Sequence, residues 1–237
     1  MGFYQLYHTD SYLREMDATV IHVEGNWVVL DPTVFYAQSG GQPADHGTLT
    51  WSNTQTHVID VRRHDDEIWH QLEGPIPPEG ALVHGLLDWE RRYAFMRTHT
   101  ALHMLSGVIW REYGAHVTSS SMEPGSARQD FELERMTLDF ATEVERRVNV
   151  EVVANRQVRI RFLPRAEAFA IPDLIRTKVN LLPEGIEQVR VCEIVGLDLQ
   201  ADGGTHVALT GEIGPVRVVG HESKGRINKR LRLIIEK

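Results

Sequence analysis

Two hydrophobic periods divide this chain, and their order sets what it can fold into. Up to about residue 90, apolar residues alternate in short runs broken by Gly, Pro and Asp-Asp; from Thr98 they recur at helical spacing. Residues 18–30 read as a hairpin turning at Gly25-Asn26, and further short strands fit 47–51, 57–62, 67–71 and 81–87. The pattern predicts an all-β, barrel-like N-terminal domain over 1–90, with 88–97 leading out of it. In the second domain, 91–237, Leu102, Leu105 and Ile109 form an apolar stripe with Met104 and Val108 nearby, and Gly114 supplies a helix stop. A second helix is predicted from Thr137 to Asn155, with Ala141, Val144, Val148 and Val152 inward and Glu145, Arg146 and Arg147 outward. Strands follow at 158–163, 189–194, 205–210, 216–222 and 230–235, around a Pro-broken segment at 164–183. The expected class is α+β, with helices packed on an antiparallel sheet.

Composition narrows the function. The chain has 237 residues, 42% hydrophobic and 24% charged, which suits a globular protein with a real core. It has no apolar run of membrane-spanning length, and no basic start with an apolar core that would suggest a secretory signal. The single cysteine, Cys192, rules out an intrachain disulfide framework and fits a reducing cytoplasm; its alternating surroundings suggest a core residue rather than a nucleophile. The net charge of −8 is unevenly spread: residues 1–90 carry 3 Lys/Arg against 14 Asp/Glu, and residues 91–237 carry 22 against 19. The last stretch, 217–237, holds seven Lys/Arg against Glu222 and Glu236. Such a split suits a polyanionic partner for the second domain only, although a solvated surface with clustered charge reads the same way.

Two short motifs carry the chemistry. His99-Thr-Ala-Leu-His103 lies on the predicted helix, so its imidazoles, at i and i+4, share one face. Asp202-Gly-Gly-Thr-His206 places a carboxylate and an imidazole on a loop whose glycines would let it turn tightly. Together they make a four-ligand set for one Zn2+ per chain: His99, His103, Asp202 and His206. The alternative is that the first pair flanks a core helix and 202–206 is a hairpin turn. No G-x-S-x-G elbow is present, so a covalent serine mechanism is not proposed.

The segments Arg97-Thr-His-Thr-Ala-Leu-His-Met-Leu105 and Gln200-Ala-Asp-Gly-Gly-Thr-His-Val207 resemble the editing-domain signature of alanyl-tRNA synthetase and its freestanding AlaX relatives. So do Thr210-Gly-Glu-Ile-Gly-Pro215, the stretch from Lys224 to Arg232, and the glycine-rich segment from Phe35 to Gly47. The resemblance runs from about residue 18 to the C-terminus, and the medium-length AlaX type is the nearest match. It implies an α+β editing domain and a cytoplasmic trans-editing hydrolase. The implied substrate is tRNA(Ala) carrying a wrong amino acid, chiefly serine with glycine second. No membrane and no obligate protein partner are implied. One position departs from the family: Asp202 stands where the usual pattern has cysteine. A carboxylate can ligate zinc, but it is harder than thiolate and accepts other divalent metals more readily. Asp202 could instead serve as an acid/base while three histidines hold the metal.

Selecting serine over alanine requires polar groups that meet the serine hydroxyl. Thr100, Thr118 and Ser119, with Ser120 and Ser121 beside them, are the side-chain candidates, and Thr100 and Asp202 are the expected catalytic residues. Gly40, Gly41 and Gln42 could lend backbone N–H groups; a plain tight turn and a plain polar loop are the bland readings of these two segments. For tRNA phosphates the candidates are Arg91, Arg92 and Arg97 before the metal helix, and Lys224, Arg226, Lys229 and Arg230 near the end. Two other functions stay open: a non-catalytic tRNA-binding module of the same fold, and a hydrolase for another aminoacyl ester.

Overall fold

The computed structural model describes residues 5–175 and 185–236. The chain divides into two compact units, Met1–Ala94 and Phe95–Lys237. In the first, β1 (Glu15–Glu24), β2 (Trp27–Asp31), β3 (Gly47–Trp51), β4 (Thr54–His64), β5 (Glu67–Glu73) and β6 (Leu82–Leu87) close into a barrel of order β1-β2-β5-β4-β3-β6. Alternation does the work, sending Val20, Val28, Leu30, Leu49, Val61, Ile68 and Leu72 into one core with Phe35. Closure leaves no unpaired sheet edge. Between β2 and β3 the chain reverses at Gly40-Gly41, where φ is +56° and +86° and Ser39 and Gln42 exchange backbone bonds of 2.8 and 3.2 Å. Two consecutive left-handed residues favour glycine.

The second unit contains most of α1 (Trp89–Tyr113), then β7 (Val117–Glu123), β8 (Ser126–Phe131), α2 (Leu138–Val153), β9 (Val158–Pro164), α3 (Arg165–Ala170), β10 (Gln188–Ile194), β11 (Asp198–Ala201), β12 (Val216–Gly225) and β13 (Asn228–Ile235). One antiparallel sheet has the order β12-β13-β8-β7 and the other β11-β10-β9. Helix α2 starts where Thr137 Oγ1 accepts the Phe140 N–H and buries Ala141, Val144, Val148 and Val152. It docks on β12 through Asn149, whose amide binds both the N–H (2.9 Å) and the C=O (2.7 Å) of Val216. Ala168 of α3 buries against Val189 and Val191 of β10.

Several expectations are corrected. Helix α1 begins well before Thr98, because Asp88 Oδ1 caps the Arg91 N–H at 3.1 Å. Its first turns look solvent-facing in sequence, yet Arg92 is wholly buried by an ion pair. Residues 205–210 form no strand; they are a loop running into a 3-10 turn at Thr210–Ile213. Thr118, Ser119, Ser120 and Ser121 lie on β7, not in a loop. Within the Pro-broken segment, Pro164 precedes the short α3, and residues 176–184 lie outside the described residues.

Candidate metal centre

His99 and His103 project from α1 toward the loop that follows β11. There the structure brings them together with Asp202 and His206, one ligand atom of each lying within 4.8 Å of the others. His206 Nε2 is 2.8 Å from Asp202 Oδ2, and His99 Nε2 and His103 Nε2 are 3.5 and 3.8 Å from Asp202 Oδ1. The loop does not use the conformational freedom expected of its glycines, since neither Gly203 nor Gly204 has a positive φ. It turns because Asp202 Oδ2 accepts the Gly204 N–H at 2.7 Å. Arg190 of β10 fixes the Asp202 peptide from both sides: its carbonyl accepts the Asp202 N–H (3.1 Å) and its Nη1 donates to the Asp202 carbonyl (2.8 Å).

The other ring nitrogens decide what the site presents. Thr100 Oγ1 has one proton, which it gives to the Met96 carbonyl (2.8 Å), an acceptor only. Its contacts with Val207 N–H (3.2 Å) and His206 Nδ1 (3.1 Å) are therefore both bonds that it accepts. His206 thus carries its proton on Nδ1 and points an Nε2 lone pair inward. His103 Nδ1 likewise donates to the Asp198 carboxylate (3.1 Å), turning Nε2 inward. Asp198 is held in turn by Gln200 Nε2 (2.8 Å), which also reaches Ser106 Oγ (3.2 Å). This carboxylate–imidazole arrangement is what commonly orients histidine at a metal. Gly107, one turn beyond His103, makes room for it: a Cβ there would sit 3.0 Å from Leu197 and 3.1 Å from Asp198.

Burial drives His99 well below the usual imidazole range and His206 down to about 4, outweighing the pull of Asp202 on each. Both are neutral at pH 7. Burial also opposes charge on His103, but the Asp198 and Asp202 carboxylates overcome it and raise the ring to about 9. Asp202 is pushed up by burial, yet the surrounding imidazoles win and hold it well below the carboxylate range. At neutral pH the His206 Nε2 lone pair faces an ionised carboxylate oxygen 2.8 Å away, two acceptors with no proton between them. A cation makes that approach favourable. Three imidazole nitrogens and one carboxylate oxygen are a donor set suited to zinc.

The family "tRNA synthetases class II (A)" matches residues 8–91, and "Threonyl and Alanyl tRNA synthetase second additional domain" matches residues 189–234. The chain is 37% identical over 231 residues to "Alanyl-tRNA editing protein AlaX-M" of Saccharolobus solfataricus, covering 96% of each chain. The chain belongs to the AlaX-M family. It is 36% identical to the Methanosarcina barkeri AlaX-M protein, covering 95% of this chain and 96% of that one. It is also 39% identical to "Alanine--tRNA ligase" of Pyrobaculum aerophilum, covering 90% of this chain and 25% of that one.

In this AlaX-M member the remaining predicted residues fall into three groups. Thr100 is buried, and its hydroxyl is committed to the Met96 carbonyl, the Val207 N–H and His206 Nδ1. The Thr118 hydroxyl donates to Asn228 Oδ1 (2.8 Å), while Ser119 is exposed. Gly40, Gly41 and the buried Gln42 belong to the first unit. Of the phosphate candidates, Arg92 is wholly buried against Asp45, and Lys229 is buried with Nζ on the Gly225 and Arg226 carbonyls (2.7 and 3.0 Å). Neither can reach a phosphate. Arg97 holds the Ile213 and Glu236 carbonyls, Arg230 forms a two-pronged pair with Asp130 (2.7 and 2.8 Å), and Lys224 pairs with Glu222 (2.7 Å). Arg226 is exposed, and Arg91 Nε donates to the Ala44 carbonyl (3.0 Å). Sequence reasoning missed Asp198, Gln200, Ser106 and Arg190. Asp198 alone left a signal, as an acid one short strand before Asp202.

Proposed function

We propose that this chain is a cytoplasmic hydrolase that deacylates mischarged tRNA(Ala), chiefly Ser-tRNA(Ala) and secondarily Gly-tRNA(Ala). The supporting observation is the His99–His103–Asp202–His206 cluster, oriented by Thr100 and Asp198, in a chain that spans nearly the full length of AlaX-M editing proteins. An aminoacyl ester is already activated, so the protein's task is mainly to position it. A zinc ion held by the three histidines and Asp202 would supply Lewis acidity to the ester carbonyl or to a water. Asp202 stays ionised, and the three histidines are buried. Ser119 and the Gly40 and Gly41 N–H groups remain candidates for the serine hydroxyl and the aminoacyl group. Arg91, Lys224 and Arg226 remain candidates for phosphate.

A panel of Ser-, Gly- and Ala-tRNA(Ala), with Ser-tRNA carrying a different acceptor stem, tests this. The expected result is deacylation of Ser-tRNA(Ala) on the order of 10²-fold faster than Ala-tRNA(Ala), the size of effect a missing hydroxyl produces in a site built to bind one. Equal rates on both would reject serine selection. Tight tRNA binding with no hydrolysis at full metal occupancy would leave a non-catalytic module.

A further inference from the structure

The β7–β8 hairpin is fastened to α1 at both of its ends. At its turn the Gly125 N–H donates to Thr98 Oγ1 (3.0 Å), beside His99, and just ahead of β7 the His116 ring lies 4.8 Å from that of Trp110. The helical turns between those two fastenings carry His99 and His103, and the strands between them carry Ser120 opposite Gln129. Opposed residues of an antiparallel pair share a face. Leu231 of β13 meets Gln129 from the other side, and the pairs Val117–Phe131 and Met122–Ala127 lie two residues away on that face. Gln129 is 6% exposed, and Leu231, Val117, Phe131 and Met122 are buried, so this is the covered face of the sheet.

A glutamine in such a place normally spends its amide on the fold; here the oxygen is left over. Among the described residues nothing donates to the buried Gln129 Oε1. An unmatched buried acceptor is a cost that a folded chain seldom keeps without a use. The group that completes it must bring a proton, which excludes a phosphate or carboxylate ion. An ammonium brings protons, but a buried ammonium needs a countercharge, and Lys229, paired opposite Phe131 on this same face, is itself a buried cation. A neutral hydroxyl meets both conditions. It gives its proton to Oε1, and its lone pairs can accept from the hydroxyl of Ser120, which is half-buried across the pair.

We propose that Gln129 is a specificity-determining residue for the aminoacyl ester, its Oε1 accepting the hydroxyl of a seryl group held at the metal centre. This rests on the editing reading above and assigns the separation of serine from glycine and alanine to a side chain of β8.

Deacylation of Ser-, Gly- and Ala-tRNA(Ala) by the full-length, metal-loaded chain tests it. Gln129→Leu should lower kcat/KM for the seryl ester roughly 5- to 100-fold, the size of one unmade buried hydrogen bond. The glycyl and alanyl esters have no hydroxyl and should stay within about twofold. Gln129→Met, which keeps the length of the side chain without its amide, should do the same. The urea midpoint of the metal-free chain should hold or rise in both variants, because Oε1 makes no bond within the fold to be lost. A fall in both midpoints would mark a structural glutamine and overturn the proposal. So would an unchanged rate on the seryl ester, or an equal loss on all three esters. Binding of the stable 3′-seryl and 3′-glycyl amides of 3′-amino-3′-deoxyadenosine separates this contact from the editing reading. A wild type that prefers the seryl amide, loses the preference in Gln129→Leu and yet hydrolyses no aminoacyl-tRNA would keep the contact and reject the editing reading. Hydrolysis of Ser-tRNA(Ala) with the seryl preference intact in Gln129→Leu would do the reverse.

Discussion

Each unit of the molecule contains an aspartate next to a buried arginine, and the two pairs are finished differently. In the first unit, Arg92 spends its guanidinium on Asp45, the Ser11 carbonyl (2.9 Å) and the Val34 carbonyl (2.6 Å), and Asp45 also takes the Tyr36 N–H (2.7 Å). Every N–H named there meets an acceptor. In the second unit, Asp202 meets Arg190 at one edge, but on the other side it faces imidazole nitrogens whose protons have been drawn outward by Thr100 and Asp198. The first pair is complete without a ligand. The second leaves the His206 Nε2 lone pair against a carboxylate oxygen, an approach that a cation completes. Burial and charge alone would not separate them; the direction of each proton does.

The largest effect should come from breaking the completed pair. Asp45→Ala leaves the Arg92 charge buried and unmatched, which should cost about 3–5 kcal/mol in urea unfolding. Replacing both residues together, Asp45→Leu with Arg92→Met, should recover most of that loss, because the desolvation of two charges disappears as well. A double variant as unstable as the single one would mean that the carbonyls of Ser11 and Val34 need the guanidinium more than Asp45 does.

At the incomplete site the expected loss is in metal affinity rather than stability. Asp198→Asn and Thr100→Val should each weaken zinc binding roughly 10- to 100-fold in chelator competition, since each removes an outer partner that fixes an imidazole. Thr100→Ser, which keeps the hydroxyl, should restore most of the affinity. Equal zinc affinity in Thr100→Val and wild type would contradict the proton assignment at His206.

A smaller, graded effect follows from pH. His103 is raised to about 9, so below that pH the metal-free site holds a proton that zinc must displace, while neutral His99 and His206 and ionised Asp202 release none near neutrality. Zinc affinity should therefore climb about tenfold per pH unit between roughly pH 6.5 and 9, then level. The sign reverses for the metal-free fold: a raised histidine contributes stability in full below its unfolded value of about 6.5 and loses it as pH rises through about 9. Isothermal titration with zinc across this range reads the first, and urea unfolding of the metal-free chain reads the second, with Asp198→Asn as control. In the control the plateau should move to lower pH.

The sequence exposed what is local and hid what is not. His99 and His103 announce themselves by helical spacing, and Gly25-Asn26 and the alternating runs mark the barrel hairpins. Strands β7 and β8 gave no such sign: Thr-Ser-Ser-Ser and Ser-Ala-Arg-Gln-Asp are polar runs, and Gln129 and Asp130 are buried in succession. Their burial comes from the partners on either side, which period-two reading does not contain. The start of α1 was obscured in the same way, because Arg92 looks like surface until Asp45 is brought beside it. Asp198 and Arg190 act only through contacts across α1, β10 and β11, and no spacing rule encodes those.

The smallest expected change is also the one that most sharpens the contrast between the two aspartates. Asp45 has a charge partner of fixed identity; Asp202 faces three imidazoles, and its carboxylate oxygens are shared between them, the Gly204 N–H and Arg190. If Asp202 ligates the metal, Asp202→Cys should hold zinc at least as tightly, because thiolate suits zinc better than carboxylate, and hydrolysis should persist. Asp202→Ala should weaken binding without abolishing it, since His99, His103 and His206 remain. If Asp202 instead moves protons, Asp202→Cys would retain full zinc and lose most turnover. Its low pKa favours ligation: a carboxylate held well below the usual range is a poor proton acceptor at neutral pH, while it is charged and ready for a cation throughout. Metal content and kcat measured on the same Asp202→Cys preparation decide between the two roles.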